Sequence, residues 1–185
     1  NQIAKACGVS EIPVREALRR LESDGYVRIV PNQGAVALGL DKEMLIDMVQ
    51  VKGVLEGFAT RLSVDYLSRN DLAQLRQINL KLQEAAKEGD HKAFSELNQK
   101  FHMTIYAPIP RKGLTTMISD LWDKYQVTKR IFSVAPNMME QSYHEHERIL
   151  ELIEQREYNE VERYVREHKF KAMASWALSD AASVL

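Results

Sequence analysis

The chain has a single cysteine, Cys7. No disulfide can form within it, and a reducing compartment, the cytoplasm, is expected. Glycine and proline are scarce, eight and five in 185 residues. That excludes collagen-like and disordered chains and argues against a turn-rich β-sandwich. No run approaches the ~18 apolar residues needed to span a bilayer, so no membrane partner is expected. There is little charge of either sign in excess. The net charge is −1. Residues 1–40 hold five basic and four acidic side chains, and the remainder 20 and 22. Charge alone therefore does not nominate a nucleic acid, and any such reading must rest on a motif.

What is present is an ordinary globular composition, 45% hydrophobic and 28% charged. The length suits one domain of common size plus a small second one. The chain opens at Asn1, inside an apparent helix, and reads as lacking its native N-terminus. Asn1 is placed to cap a first short helix that Gly8 ends, with Ile3 and Cys7 on one face. Ser10 caps a second helix, with Pro13 in its first turn, where a missing N–H is tolerated. Val14, Leu18 and Leu21 form its apolar stripe and Gly25 stops it. Residues 26–30 and 35–38 read as two strands joined by a turn at Pro31-Asn32-Gln33-Gly34.

After Gly39 the pattern is helical only. The periodicity predicts helices over 42–67, 71–88, 91–107, 112–134, 137–155 and 157–180. Asn70 is the expected cap of the second, Gly89-Asp90 separates the second from the third, and Pro108, Pro110 and Pro136 break the chain. Leu72, Leu75, Ile78 and Leu82 make one apolar stripe, and Ile149, Leu150, Leu152 and Ile153 another. Helices joined by short loops make antiparallel neighbours. The fold class is mainly α: a partial winged helix-turn-helix with a small β-hairpin wing over residues 1–40, then an all-helical antiparallel bundle over 41–185.

A helix, a Gly-Val-Ser turn and a second helix suit insertion of that second helix into a major groove. Ser10, Glu11, Ile12 and Arg15 would meet base edges, with Arg19 one turn beyond Arg15 on the face opposite the apolar stripe. Arginine offers paired donors to guanine or phosphate. Gln33 and Gly34 at the hairpin tip would reach the adjacent groove. The run Ile3-Ala4, Gly8-Val9-Ser10, Pro13-Val14-Arg15-Glu16-Ala17-Leu18-Arg19-Arg20-Leu21-Glu22 and Gly25, followed by Pro31-Asn32 and Gly34, resembles the winged helix-turn-helix of GntR-family bacterial transcription regulators. The resemblance implies a further helix before Asn1. Such proteins usually carry a basic residue where Glu11 stands and often another at Gln33. Glu11 either accepts from a cytosine amino group or buttresses Arg15, four residues on.

Five histidines are present. Asn98 and His102 share a helix face. His146 and His168 fall at matching levels of a hairpin of helices turning at Arg156-Glu157. Three imidazoles and one amide oxygen would then converge inside the bundle, a usual place for a metal site, and imidazole suits zinc, nickel, iron or copper. The other reading of these spacings is ordinary hydrogen-bonded core histidines. His91 is expected to be solvated and His144 to point away from His146. Residues 42–180 resemble the FCD-type effector domain of the FadR subfamily of GntR regulators, through Leu55-Glu56, Asn98 with Phe101-His102, Glu145-His146-Glu147 with Ile149-Leu150, and Glu167-His168. The resemblance implies a divalent metal, zinc or nickel, held by Asn98, His102, His146 and His168. Asn98 stands where Asp is commoner, and an amide binds more weakly than a carboxylate.

The resemblance further implies a homodimer built largely from the helical domain that binds double-stranded operator DNA. A small organic acid effector would coordinate the metal, and Lys52 and Arg130 are the candidate cations for its carboxylate. Two readings from other classes stand beside it. One is a metal-dependent hydrolase using the Asn/His cluster, with Glu145 or Glu147 as general base. The other is a helical protein-interaction module.

Overall fold

The computed structural model describes residues 2–23, 27–31, 33–38, 42–124 and 137–177. The chain divides into two compact units, Asn1–Asp41 and Lys42–Val184. Asn1, Gly25, Asn32, Gly39, Arg130 and Pro136 lie outside the described residues.

In the first unit, α1 (Gln2–Cys7) is followed by α2 (Glu11–Ser23). Gly8 has φ +65°, a left-handed backbone that closes the turn between them and that other residues rarely adopt. β1 (Val27–Val30) pairs antiparallel with β2 (Gly34–Ala37), from Val27 opposite Ala37 to Val30 opposite Gly34. The second strand thus begins one residue earlier than its pattern suggests, because Gly34 itself completes the ladder. Glu22 ties helix to hairpin, its carboxylate accepting from the Ile29 N–H at 2.7 Å. The stripe of α2 is only partly covered: Val14 and Leu18 are half-buried and Leu21 is exposed. Among the described residues of this unit Ala4 is the buried apolar side chain.

The second unit is helical: α3 (Lys42–Ser63), α4 (Arg69–Glu88), α5 (His91–Tyr106), α6 (Lys112–Lys124), α7 (Asn137–Glu154) and α8 (Tyr158–Ala177). The cap of α4 is Ser68, not Asn70. The Ser68 hydroxyl accepts from the Asp71 N–H and Asp71 reaches back to the Ser68 N–H, a capping box that outcompetes a lone Asn. Gly89, at φ +69°, ends α4, and Asp90 caps α5 by accepting from the Ala93 N–H. Leu75, Ile78 and Leu82 of α4 meet Ile149, Leu150, Leu152 and Ile153 of α7 in one core with Phe94, Phe101 and Ile105 of α5. Among the described residues no helix is long and apolar enough to cross a membrane.

Helix α3 lies close against α8. A Cβ on Gly57 would stand 2.7 Å from the Glu162 carbonyl oxygen, and one on Gly53 3.5 Å from that of Arg166. Gly57→Ala should therefore destabilise the bundle by about 1–3 kcal/mol through overpacking, despite the ~1 kcal/mol that alanine normally adds within a helix. Gly113 of α6 has nothing within 4 Å of such a Cβ. Gly113→Ala should be neutral or stabilising, and urea midpoints of the two variants check the contrast.

Candidate functional site

The hairpin of α7 and α8 turns at Arg156, whose φ is +57°. It sets His146 beside His168, ring centroids 5.1 Å apart. His102 of α5 completes a triangle, 5.0 Å from His146 and 5.4 Å from His168. One nitrogen from each ring lies within 4.8 Å of the others, and all three residues are buried. Phe101 stacks on His146 at 4.1 Å and fixes its plane.

Partners on the far side of two rings determine which nitrogen faces the centre. The Asn79 amide donates to the Tyr143 carbonyl at 3.0 Å, so its oxygen is left to accept from His146 Nδ1–H at 3.3 Å. The Glu145 carboxylate, an acceptor only, takes His168 Nδ1–H at 2.6 Å. Each ring therefore turns a bare Nε2 lone pair inward. His146 Nε2, both nitrogens of His102 and Asn98 Oδ1 are buried without a hydrogen-bond partner. Asn98 lies one turn before His102 on the buried face of α5. Unsatisfied buried polar atoms of this kind call for an explanation, and a bound cation supplies one for the lone pairs among them.

Electrostatics agree. Burial pushes His102 and His146 well below the ordinary histidine range, reinforced by Lys169 and neighbouring imidazoles. Burial also lowers His168, with Glu145 pulling the other way. Neutral imidazoles are the form that ligates a metal. The three buried histidines could hold a metal ion, and the residues present fit one. Asn79 and Glu145 are then the outer partners that orient the ligands. Asn79→Leu should weaken metal affinity about 10–100-fold while leaving the helix content unchanged, as read by competition with a chelating dye and by circular dichroism.

Beside the triangle lies a buried charge cluster. Glu56 of α3 is fully buried and accepts from the Tyr106 hydroxyl at 2.8 Å. It pairs with Lys169 at 3.0 Å and Lys52 at 3.7 Å and lies 3.9 Å from His102 Nδ1. Burial alone would raise its pKa, but the two lysines outweigh that and keep it lowered. The Lys52 ammonium sits 3.1 Å from the centre of the Trp122 ring. Lys52 is thus inside the bundle, while Asn79, Lys169 and Trp122 are additions that spacing does not reveal.

Other expectations change. Glu145 is no free base: hydrogen bonds from His168, Gln141 and Lys171 hold it at about 2. Glu147 is exposed and pairs with His144, also exposed, at 3.3 Å. Neither carboxylate serves the triangle as a general base, because one is consumed behind His168 and the other faces solvent. His91 is half-buried rather than solvated, its Nδ1 shielded where α5 begins.

In the first unit, Ser10 just before α2 and Ile12, Arg15 and Arg19 along it are exposed, Glu11 is half-buried, and Gln33 and Gly34 are exposed at the hairpin. Arg15 pairs with Glu11 at 3.1 Å, the buttressing geometry of the two roles open to Glu11.

Two family descriptions match the chain. Bacterial regulatory proteins of the gntR family match residues 1–36, and the FCD domain matches residues 47–170. The chain belongs to the GntR family of bacterial regulatory proteins. Its helical unit is an FCD domain. This GntR-family chain is 34% identical over 120 residues to the HTH-type transcriptional regulator McbR of Escherichia coli, a match that covers 65% of the chain and 54% of McbR. It therefore spans about half the length of that relative. The Nta operon transcriptional regulator of Aminobacter aminovorans is 25% identical over 90% of the chain and 78% of its own length. The solved structure of Escherichia coli McbR/YncC superposes with a TM-score of 0.74 at 26% identity, covering 94% of the chain and 82% of McbR.

Proposed function

We propose that this GntR-family protein is a cytoplasmic transcription regulator that binds operator DNA as a homodimer and answers to a small organic acid held in a metal-containing pocket of its FCD domain. The observation that carries the reading is the triangle of buried histidines with unpartnered buried atoms, His102 and His146 Nε2 and Asn98 Oδ1, in a chain whose other unit matches a DNA-reading family. His102, His146 and His168 would hold the ion, with Asn98 as fourth ligand; three imidazoles favour zinc or nickel. A divalent ion there supplies open coordination positions to a carboxylate. The chain's own contribution is to orient the rings through Asn79 and Glu145, exclude water with Phe101, and offer Lys52 as a cation. Arg130 is a second candidate cation.

In the first unit, Ser10, Glu11, Ile12, Arg15 and Arg19 would face the major groove and Gln33 and Gly34 the neighbouring one. Ile12 is 70% exposed, a free apolar side chain suited to a thymine methyl. Its neighbour Glu11 keeps Arg15 extended. Relatives named as transcriptional regulators support this reading over the hydrolase and protein-interaction alternatives.

The test is duplex binding across a salt series. Binding to genomic operator fragments should weaken steeply with salt, and Arg19→Ala should reduce the slope of log affinity against log salt by about one. Adding the effector must favour one arrangement of the protein over another, and a coupling of about 1–3 kcal/mol would shift operator affinity roughly 5- to 150-fold. Salt-insensitive binding, or a preparation without metal, would overturn the reading.

A further inference from the structure

The first turn of α2 carries a carboxylate where a groove-entering helix meets DNA. Glu11 and Arg15 stand four apart and share a face of that helix. Arg15 Nη2 donates to Glu11 Oε2 at 3.1 Å, and the two side chains, 75% and 43% exposed, are open to a partner. An exposed ion pair of this kind adds little to the fold. A negative charge facing phosphates, meanwhile, costs affinity for every DNA sequence. What offsets that cost lies on particular base edges, which makes the carboxylate a discriminator.

Glu11 spends one oxygen on Arg15, which leaves Oε1 to accept. Arg15 spends one of its five N–H groups, which leaves four to donate. In the major groove the donors are the amino groups of cytosine and adenine, whereas guanine and thymine present acceptors and repel a carboxylate. Cytosine and adenine differ in what stands beside the amino group. Beyond the cytosine amino group come O6 and then N7 of its paired guanine, adjacent acceptors that suit the arginine fork. The adenine amino group has its own N7 on one side and thymine O4 on the other, so the fork finds only one acceptor at a time. The spacing agrees as well. The cytosine amino group and guanine O6 are joined by an N–H···O bond, normally about 2.9–3.0 Å. The Arg15–Glu11 bond has nearly that length, with donor and acceptor reversed. We propose that Glu11 and Arg15 act as one reader of a C·G pair in the operator, Glu11 Oε1 accepting from the cytosine amino group and Arg15 donating to O6 and N7 of the paired guanine. Glu11 thereby sets specificity at the expense of overall affinity. This step rests on the reading of α2 as the helix that enters the major groove.

The experiment is selection from a pool of random DNA duplexes with the full chain, parent and variants alike, followed by affinity measurements on the selected duplex. The parent should enrich a sequence that contains a C·G pair sensitive to Glu11. Glu11→Gln presents an amide, which pairs with N6 and N7 of adenine, and should move that position toward A·T while the rest of the sequence stays the same. Glu11→Ala should bind unrelated duplexes at least as tightly as the parent and flatten the preference at that position. Replacing the cytosine with 2-pyrimidinone, which lacks the amino group, should weaken the parent about tenfold or more, the scale of a hydrogen bond to a charged group, and Glu11→Ala by less than about threefold. Arg15→Lys keeps the charge and loses the fork, and should weaken the selected duplex about tenfold with little change for unrelated ones. A base preference that is the same in parent, Glu11→Gln and Glu11→Ala, or an equal loss from the missing amino group in parent and Glu11→Ala, would overturn the proposal and leave the regulatory reading standing. A parent that enriches no sequence at all would overturn both.

Discussion

His146→Ala should leave the protein unable to retain a metal ion. Elemental analysis should find about one ion per chain in the parent and almost none in the variant, a loss beyond the 10–100-fold expected from disturbing an outer partner. The substitution also removes a ring stacked on Phe101, so lower stability alone would prove nothing. The discriminating quantity is the difference between metal-saturated and chelated protein. At metal near a thousand times its dissociation constant the parent should gain about 4 kcal/mol, equivalent to a melting shift of roughly 8–16 °C for a unit of this size. The variant should show no such shift. A metal-dependent shift that survives in His146→Ala would place the ion elsewhere.

Glu56→Ala should be the most damaging single change to the bundle that leaves the histidines in place. It strips the counter-charge from Lys169 and Lys52, both buried, and the hydrogen-bond acceptor from the Tyr106 hydroxyl. Breaking a buried pair by removing one partner costs about 3–5 kcal/mol. Adding Lys169→Met to Glu56→Leu returns the cluster to its original charge excess and should recover a large part of that loss, since the two positions share one network. Denaturant midpoints of the single and double variants give the comparison. Additive losses would show that the two side chains do not act on each other.

The ease of reading differed between parts of this chain for physical reasons. The positions of α3 to α8 follow from helical periodicity and from breakers such as Gly89 and Pro108, because burial of one face imposes that period on the sequence. His146 and His168 could be brought level from the turn between them, since an antiparallel hairpin converts sequence distance into height. Ser68 also carried its signal: Ser-Arg-Asn-Asp is a capping box with aspartate as the reaching residue. Lys169 carried none. A lysine on a charged helix ordinarily reads as solvated, and only the approach of α3, permitted by Gly53 and Gly57, turns it inward to Glu56. Glu56 itself was visible only as part of a family resemblance, without a role. Asn79 and Trp122 act through rings and carboxylates on other helices, and their contribution depends on crossing geometry that no local pattern encodes. In the first unit, Leu21 shows the reverse limit: it stands on the apolar stripe that the period of α2 marks, and it is exposed.

His102, His146 and His168 hang from three separate helices, α5, α7 and α8. An ion gripped by all three fastens those helices at a common level, as a rivet does with overlapping plates. Sliding or tilting any one of them by an ångström or two would carry its imidazole out of reach of the others, so the alignment of the bundle and the grip on the ion stand or fall together. A guest that pulls on that ion thereby tugs on the whole stack.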